Sequence, residues 1–156
     1  MIYTKMKKMF FGAALMLAVI ACGKDEKPVN PGQNEQTFPA DYTGTVTVIF
    51  NEEEVDNPDI TVTLRESETE GQLEIDMFQI RFVPTMPLKV DLTIPSVSYE
   101  VHPDGSLSLS ADDVDPLYLG KPMDRYHVTG FTGKLDDKGL TFSLNFGSHP
   151  TSFTGK

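Results

Sequence analysis

The strongest constraint on the fold is an alternation of apolar and polar side chains that continues, with short breaks, from about residue 41 to residue 156. It is clearest over residues 45–50, 60–65, 88–94 and 140–146. Successive side chains of a β-strand point to opposite faces, so this period of two predicts strands with one buried face. Outside the first 22 residues no segment has the 3.6-residue period of an amphipathic helix.

Glycine-containing turns separate the alternating segments, at residues 69–71, 102–105 and 136–139, and each glycine supplies the positive φ of a tight hairpin. The neighbouring Met77 and Phe78 reverse the alternation, which predicts a β-bulge or a corner. About eight short strands joined in this way predict an all-β, antiparallel barrel or sandwich. Large apolar side chains at the inward positions favour a filled or nearly filled interior: Phe50, Phe82, Leu92, Phe142 and Phe146.

The first 21 residues have a different pattern, with three lysines ahead of an apolar run at residues 9–21 and no acid before Cys22. A basic start followed by a short apolar run is typical of a secretory signal peptide, and the run is shorter than the roughly 20 residues of a membrane-spanning helix. Residues 19–22, Val-Ile-Ala-Cys, resemble the bacterial lipobox. The resemblance implies cleavage after residue 21 and attachment of a diacylglycerol with palmitate-type chains to the Cys22 thiol.

Composition narrows the function classes further. The single Cys excludes a disulfide framework and a cysteine-cage metal site. Asp and Glu exceed Lys and Arg by 23 to 13, which argues against nucleic acid as a partner. Residues 22–40 are polar and contain three prolines, so they predict a flexible, lipid-anchored tether, and residues 41–156 are expected to form the barrel domain.

The residues directly after the cysteine bear on localisation. Lys24, Asp25 and Glu26 resemble the surface-export signal of Bacteroidetes lipoproteins, although solvated tether charge is an alternative interpretation. The resemblance implies a protein anchored in the outer membrane and exposed at the cell surface, with the periplasmic face as the alternative. Two or more acyl chains hold a protein firmly on a membrane, whereas a single chain does not.

Several stretches of the predicted domain resemble one family. Residues 41–48 (DYTGTVTV), 130–134 (GFTGK), 140–146 and 153–156 (FTGK) are similar to the calycin-like β-barrel lipoproteins of Bacteroidetes. The resemblance implies a lipocalin-like barrel of about eight strands. Classical lipocalins carry Gly-x-Trp near the first strand, whereas this chain has Gly-Thr-Val at residues 44–46 and no Trp.

Catalytic motifs do not stand out from the sequence. No Gly-x-Ser-x-Gly motif occurs, and the three histidines are not spaced to converge on a metal. The chain is therefore expected not to be an enzyme and to need no cofactor. Acidic residues cluster at residues 52–59 and again at Asp112, Asp113 and Asp115, which predicts solvated loops, with calcium binding at the second cluster as an alternative.

Three side chains are the candidates for contact with a ligand or partner. Tyr118 and Leu119 fall in a long loop between two prolines, and Tyr126 follows shortly after. Exposed aromatic side chains stack on sugars or pack on proteins, although such residues also plug barrel ends. We expect a non-enzymatic binding role towards a small apolar ligand, a glycan or an envelope partner. The alternatives are an envelope enzyme acting on glycan or ester substrates and an accessory subunit of a surface complex.

Overall fold

The computed structural model describes residues 36–156 and contains ten β-strands and one short 3₁₀ helix at Asp124–Tyr126. The strands are β1 (Ala40–Phe50), β2 (Glu53–Glu66), β3 (Gln72–Ile80), β4 (Val90–Val101), β5 (Leu107–Ala111), β6 (Leu117–Tyr118), β7 (Lys121–Pro122), β8 (Val128–Asp136), β9 (Gly139–Phe146) and β10 (His149–Gly155). Within the described range, no helix is long and apolar enough to span a membrane.

Eight of the strands close into an antiparallel barrel. The strand order around it is β3-β2-β1-β10-β9-β8-β5-β4, and the pairing of β3 with β4 completes the ring. The remaining strands, β6 and β7, form a small hairpin that attaches through the pairing of Leu117 with Thr93 of β4. The predicted all-β, eight-stranded antiparallel barrel is therefore confirmed.

The interior of the barrel is occupied by side chains. Its core contains 24 buried apolar residues from all eight barrel strands and from the β3–β4 loop. Phe131, Phe142 and Phe153 stack in a column with ring centroids 5.1 and 5.2 Å apart. Of the predicted inward residues, Phe82, Leu92, Phe142 and Phe146 are buried, and Phe50 is partly buried and packs against the core. The alternation in the sequence thus produced one continuous apolar core.

The two ends of the barrel differ in their turns and loops. We call the end at which β1 begins the proximal end, and the opposite one the distal end. The proximal end also holds the turns at residues 67–71, 102–106 and 137–138 and the chain terminus at Lys156. The distal end holds the turns at residues 51–52 and 147–148, the β3–β4 loop at residues 81–89, and the crossover segment, residues 112–127, which joins β5 to β8.

Irregularities in the alternation correspond to bulges. The β3–β4 register shifts between Met77 and Ile80, so Phe78 and Gln79 both face outward and the predicted bulge is confirmed. β4 continues through the proline at residue 95, where the β3–β4 register shifts between Leu73 and Ile75 and Ser96 has a positive φ of 61°. The β1–β2 register also shifts, between Gly44 and Val46.

The acidic stretch at residues 52–59 does not form the loop expected from its charge. Phe50 pairs directly with Glu53, and only Asn51 and Glu52 form the turn, both at positive φ. Asn tolerates this conformation, and Val55 on the following strand is buried, so a tight hairpin is more favourable here than a solvated loop. The expectation of a loop at residues 53–59 was therefore wrong.

Candidate functional site at the distal end

An aromatic cluster closes the distal end of the barrel. The Phe82 ring stacks on the Tyr126 ring at 4.5 Å and meets the Phe146 ring edge-on at 5.3 Å. The His149 ring lies 5.6 Å from Phe50 and 6.3 Å from Tyr126. Tyr126, a predicted contact residue, is thus half-buried in this cluster and plugs the barrel, which was the alternative weighed for it.

Backbone and side-chain hydrogen bonds hold the crossover segment against β8. The amides and carbonyls of Val114 and Val128 bond to each other at 3.1 and 2.8 Å. The Asp112 carboxylate accepts a 2.9 Å bond from the Gly130 amide, whose residue has a positive φ of 61°. The segment is therefore attached at its beginning and at its end, and the hairpin between these two attachments projects from a fixed base.

A histidine between two carboxylates reinforces this attachment. Nδ1 of His127 donates to Asp115 at 2.6 Å, and Nε2 donates to Asp113 at 2.7 Å. Both ring nitrogens donate at once only when the imidazole is protonated. The hydrogen bonds to Asp115 and then to Asp113 raise the pKa of His127 above its usual 6.5, which favours the protonated ring.

These contacts decide what the acidic cluster does. Asp112 bonds an amide, whereas Asp113 and Asp115 bond the two nitrogens of one histidine. Within residues 36–156, no group of three or more His, Cys, Asp or Glu residues is arranged to hold a metal ion. The three carboxylates therefore hold the crossover segment against the start of β8. Their arrangement does not support calcium binding.

The β6–β7 hairpin carries the other two predicted contact residues. Tyr118 is paired with Lys121, and Leu119 and Gly120 form the turn between them. The side chain of Leu119 is 80 % exposed and that of Tyr118 is 36 % exposed. The structure therefore brings Tyr118 and Leu119 together at a projecting tip and separates Tyr126 from them.

A buried asparagine fixes the neighbouring β3–β4 loop. The Asn57 side chain is 3 % exposed, and its amide donates to the carbonyl oxygens of Val46 at 3.3 Å and of Arg81 at 3.1 Å. Its Oδ1 accepts from the Arg81 amide at 2.8 Å. The sequence placed this asparagine in an acidic run, so its role in holding a loop of a different hairpin was not recognised.

A serine–histidine pair at the proximal end was also missed by the sequence reasoning. Nε2 of His102 lies 2.5 Å from Oγ of Ser108, because the β4–β5 turn places the ring over the outer face of β5. Ser108 is exposed, and His102 Nδ1 has no carboxylate partner among residues 36–156. A catalytic triad needs a group that orients the base, so the pair lacks that element.

The outer face of β8, β9 and β10 is lined with hydroxyl groups. A shallow hollow of about 380 Å³ is bordered by residues that include Thr132, Thr141, Ser143, Ser152 and Thr154. Thr132 and Ser143 are paired in the sheet, as are Ser143 and Ser152. The hydroxyl groups offer hydrogen-bond donors and acceptors along this face, and the hollow between them is shallow and open to solvent.

The remaining predicted site residues, Cys22, Lys24, Asp25 and Glu26, lie outside the described residues. Comparison of the chain with protein-family models, with curated proteins and with solved structures gives no match.

Proposed function

We propose that the chain is an outer-membrane lipoprotein, anchored through Cys22, displayed on the cell surface and specialised for non-enzymatic binding. Residues 1–21 serve as its signal peptide, and residues 22–39, up to the start of β1, serve as its tether. The tether joins the barrel at the proximal end, where β1 begins at Ala40. A flexible coil of 18 residues extends about 20–25 Å on average, so the proximal end faces the bilayer that holds the acyl chains.

The packed barrel interior favours binding at the outer loops over binding inside the barrel, because apolar side chains fill the interior. Twenty-four buried residues form its core, and the aromatic cluster at Phe82 and Tyr126 closes its distal mouth. A lipocalin-type small ligand needs an open lumen, which this packing does not provide. Of the expected ligand classes, an envelope partner at the distal loops is therefore better supported than a small apolar molecule.

The geometry of the histidines supports a non-enzymatic role. Both nitrogens of His127 face carboxylates, so the geometry assigns this ring to holding the crossover segment against β8. His102 contacts Ser108 without an orienting carboxylate. Hydrolysis of glycan or ester substrates by the purified chain that disappears with His102→Ala would contradict this part of the proposal.

Lipid attachment is tested with Cys22→Ser in cells fed radiolabelled palmitate. The wild-type chain should carry the label and fractionate with the outer membrane. The variant should lose the label and be absent from the outer-membrane fraction, because its serine cannot form the thioether. Wild-type chain without label would contradict the lipoprotein assignment.

Surface display is tested separately by treating intact cells with protease. The wild-type domain should be digested, whereas a chain with Lys24, Asp25 and Glu26 replaced by alanine should be protected. The labelled lipid should remain on both chains, since Cys22 is unchanged. Protection of the wild-type domain would place it on the periplasmic face instead.

A further inference from the structure

Leu119 is unusual in its backbone conformation. Seven non-glycine residues of the described chain have positive φ, and six of them are polar: Asn51, Glu52, Asp59, Gln79, Ser96 and Asp113. Leu119, at φ 52°, is the apolar exception. A bulky side chain in this region is disfavoured sterically, whereas Asn and Asp tolerate it.

The turn type makes this residue choice less favourable still. Leu119 and Gly120 are the two central residues of the hairpin, with φ of 52° and 77°, and positive φ at both positions is the pattern of a type I′ turn. Asn-Gly and Asp-Gly are the residue pairs preferred there. Gly120 fits this preference, and Leu119 does not.

Burial does not compensate for the strain. The Leu119 side chain is 80 % exposed, the largest exposed fraction among the large apolar residues of the described chain. It thus combines a disfavoured backbone conformation with a largely exposed apolar side chain, and the packing of the domain explains neither. Residues in such strained conformations cluster at active sites and ligand-binding sites.

The position of the tip limits what it can contact. Leu117 pairs with Thr93, and β6 runs antiparallel to β4 towards Val90, so the tip points to the distal end. Residues 1–35 join the described chain at the proximal end. Under the proposed function the tip therefore faces away from the bilayer that holds the chain.

The residues beside Leu119 indicate the chemistry of the occupant. Lys121, paired with Tyr118, is exposed and makes no ion pair with any residue in the range 36–156. Its charge is available to an acidic group of another molecule. Edge-to-edge pairing with a second copy is disfavoured, because β7 contains Pro122, which has no amide hydrogen to donate.

We infer that the β6–β7 tip is a docking finger that inserts Leu119 into an apolar pocket with an acidic rim on a folded partner protein of the cell envelope. The tight turn holds the leucine in place before contact, so little conformational entropy is lost on binding. The inference rests on the proposed function, because it takes the distal end to be the accessible one.

The most informative variant is Leu119→Asn. Asparagine is preferred at this turn position, so the variant should fold and melt about 2–5 °C higher than wild type, as expected from relief of backbone strain. The same change removes the apolar side chain that is proposed to enter the partner's pocket. Stability and binding should therefore move in opposite directions, which general damage to the fold would not produce.

Binding is measured with the full lipidated chain in its own cells. A photo-crosslinking lysine analogue that keeps the terminal amine, and so the charge, replaces Lys121 in one chain and Lys138, at the proximal β8–β9 turn, in another. The Lys121 probe should give one discrete crosslinked protein, which is then identified and purified. Its affinity for the full wild-type chain should fall at least tenfold with Leu119→Asn and less than twofold with Leu88→Asn, which changes a leucine that is 72 % exposed in the β3–β4 loop.

Other outcomes overturn the inference. These are a crosslinked protein whose affinity is unchanged by Leu119→Asn, a crosslinked second copy of the chain, or no discrete product from the Lys121 probe. Leu119-dependent binding to phosphatidylethanolamine–phosphatidylglycerol vesicles would make the finger a membrane contact instead. Palmitate labelling of the same cells is scored independently, so loss of the docking result with intact labelling refutes the finger alone.

Discussion

Replacing Phe142 by alanine tests whether the barrel interior is packed or hollow. Phe142 is 4 % exposed and stacks on Phe131 at 5.1 Å and on Phe153 at 5.2 Å, so the change opens a gap in the middle of the aromatic column. Truncation of a buried Phe costs about 3–5 kcal/mol, and two stacking partners lost together place the expected value at about 4–5 kcal/mol.

The assay is equilibrium unfolding in urea, followed by circular dichroism, on residues 22–156 with Cys22→Ser. With an unfolding slope of about 2 kcal/mol/M, the midpoint should fall by about 2 M. Phe78→Ala is the matched control, because that ring is 39 % exposed at the β3 bulge, and its effect should stay below about 1 kcal/mol. A loss of less than about 1.5 kcal/mol for Phe142→Ala would refute the packed interior and restore a luminal ligand.

Three further predictions concern the distal end and barrel closure. Asn57→Asp places a carboxylate against carbonyl oxygens and should lower the free energy of unfolding by about 2–4 kcal/mol in the same urea assay. A loss below about 1 kcal/mol would contradict the role of Asn57 in fixing the β3–β4 loop. The pKa of His127 is raised on folding, so its contribution is complete below pH 6.5 and is lost as the pH rises through the folded value. NMR titration of its imidazole should give a pKa above 6.5, and Asp115→Asn should lower that pKa. An unshifted pKa would contradict the pairing of His127 with the two carboxylates. Gly44→Ala should prevent closure, because the new Cβ would lie 2.0 Å from the Thr154 carbonyl oxygen, and circular dichroism that retains a cooperative transition at the wild-type midpoint would refute this.

The barrel was predictable because its determinants are local. Alternation over residues 140–146 fixes which face of β9 is buried, and the reversal at Met77 and Phe78 marked a bulge that the β3–β4 register contains. The β6–β7 hairpin was missed because its strands are two residues long, too short for any period to be visible. Its turn was also hidden, since Leu-Gly is not a recognised hairpin signal.

The distal site was predictable only in part, because it depends on contacts between distant segments. Tyr118 and Leu119 were identified by their side-chain type and loop context, and both lie at the tip. Tyr126 shares that context, but its ring stacks on Phe82, 44 positions earlier in the chain, and so belongs to the aromatic cluster that closes the distal end. The bonds from Asp113 and Asp115 to His127 form only when the crossover segment folds back on β8. No local sequence pattern indicates this fold-back.

Labelling of a single introduced thiol on intact cells tests the central claim, a lipid-anchored domain with an exposed distal end, most directly. Cys22 is the sole cysteine, and the proposed thioether consumes its thiol, so the wild-type chain should not react with a membrane-impermeant maleimide before or after lysis. A Lys121→Cys chain should react on intact cells as fully as in lysates. Labelling of Lys121→Cys only after lysis, or labelling of the wild-type chain in lysates, would contradict the account.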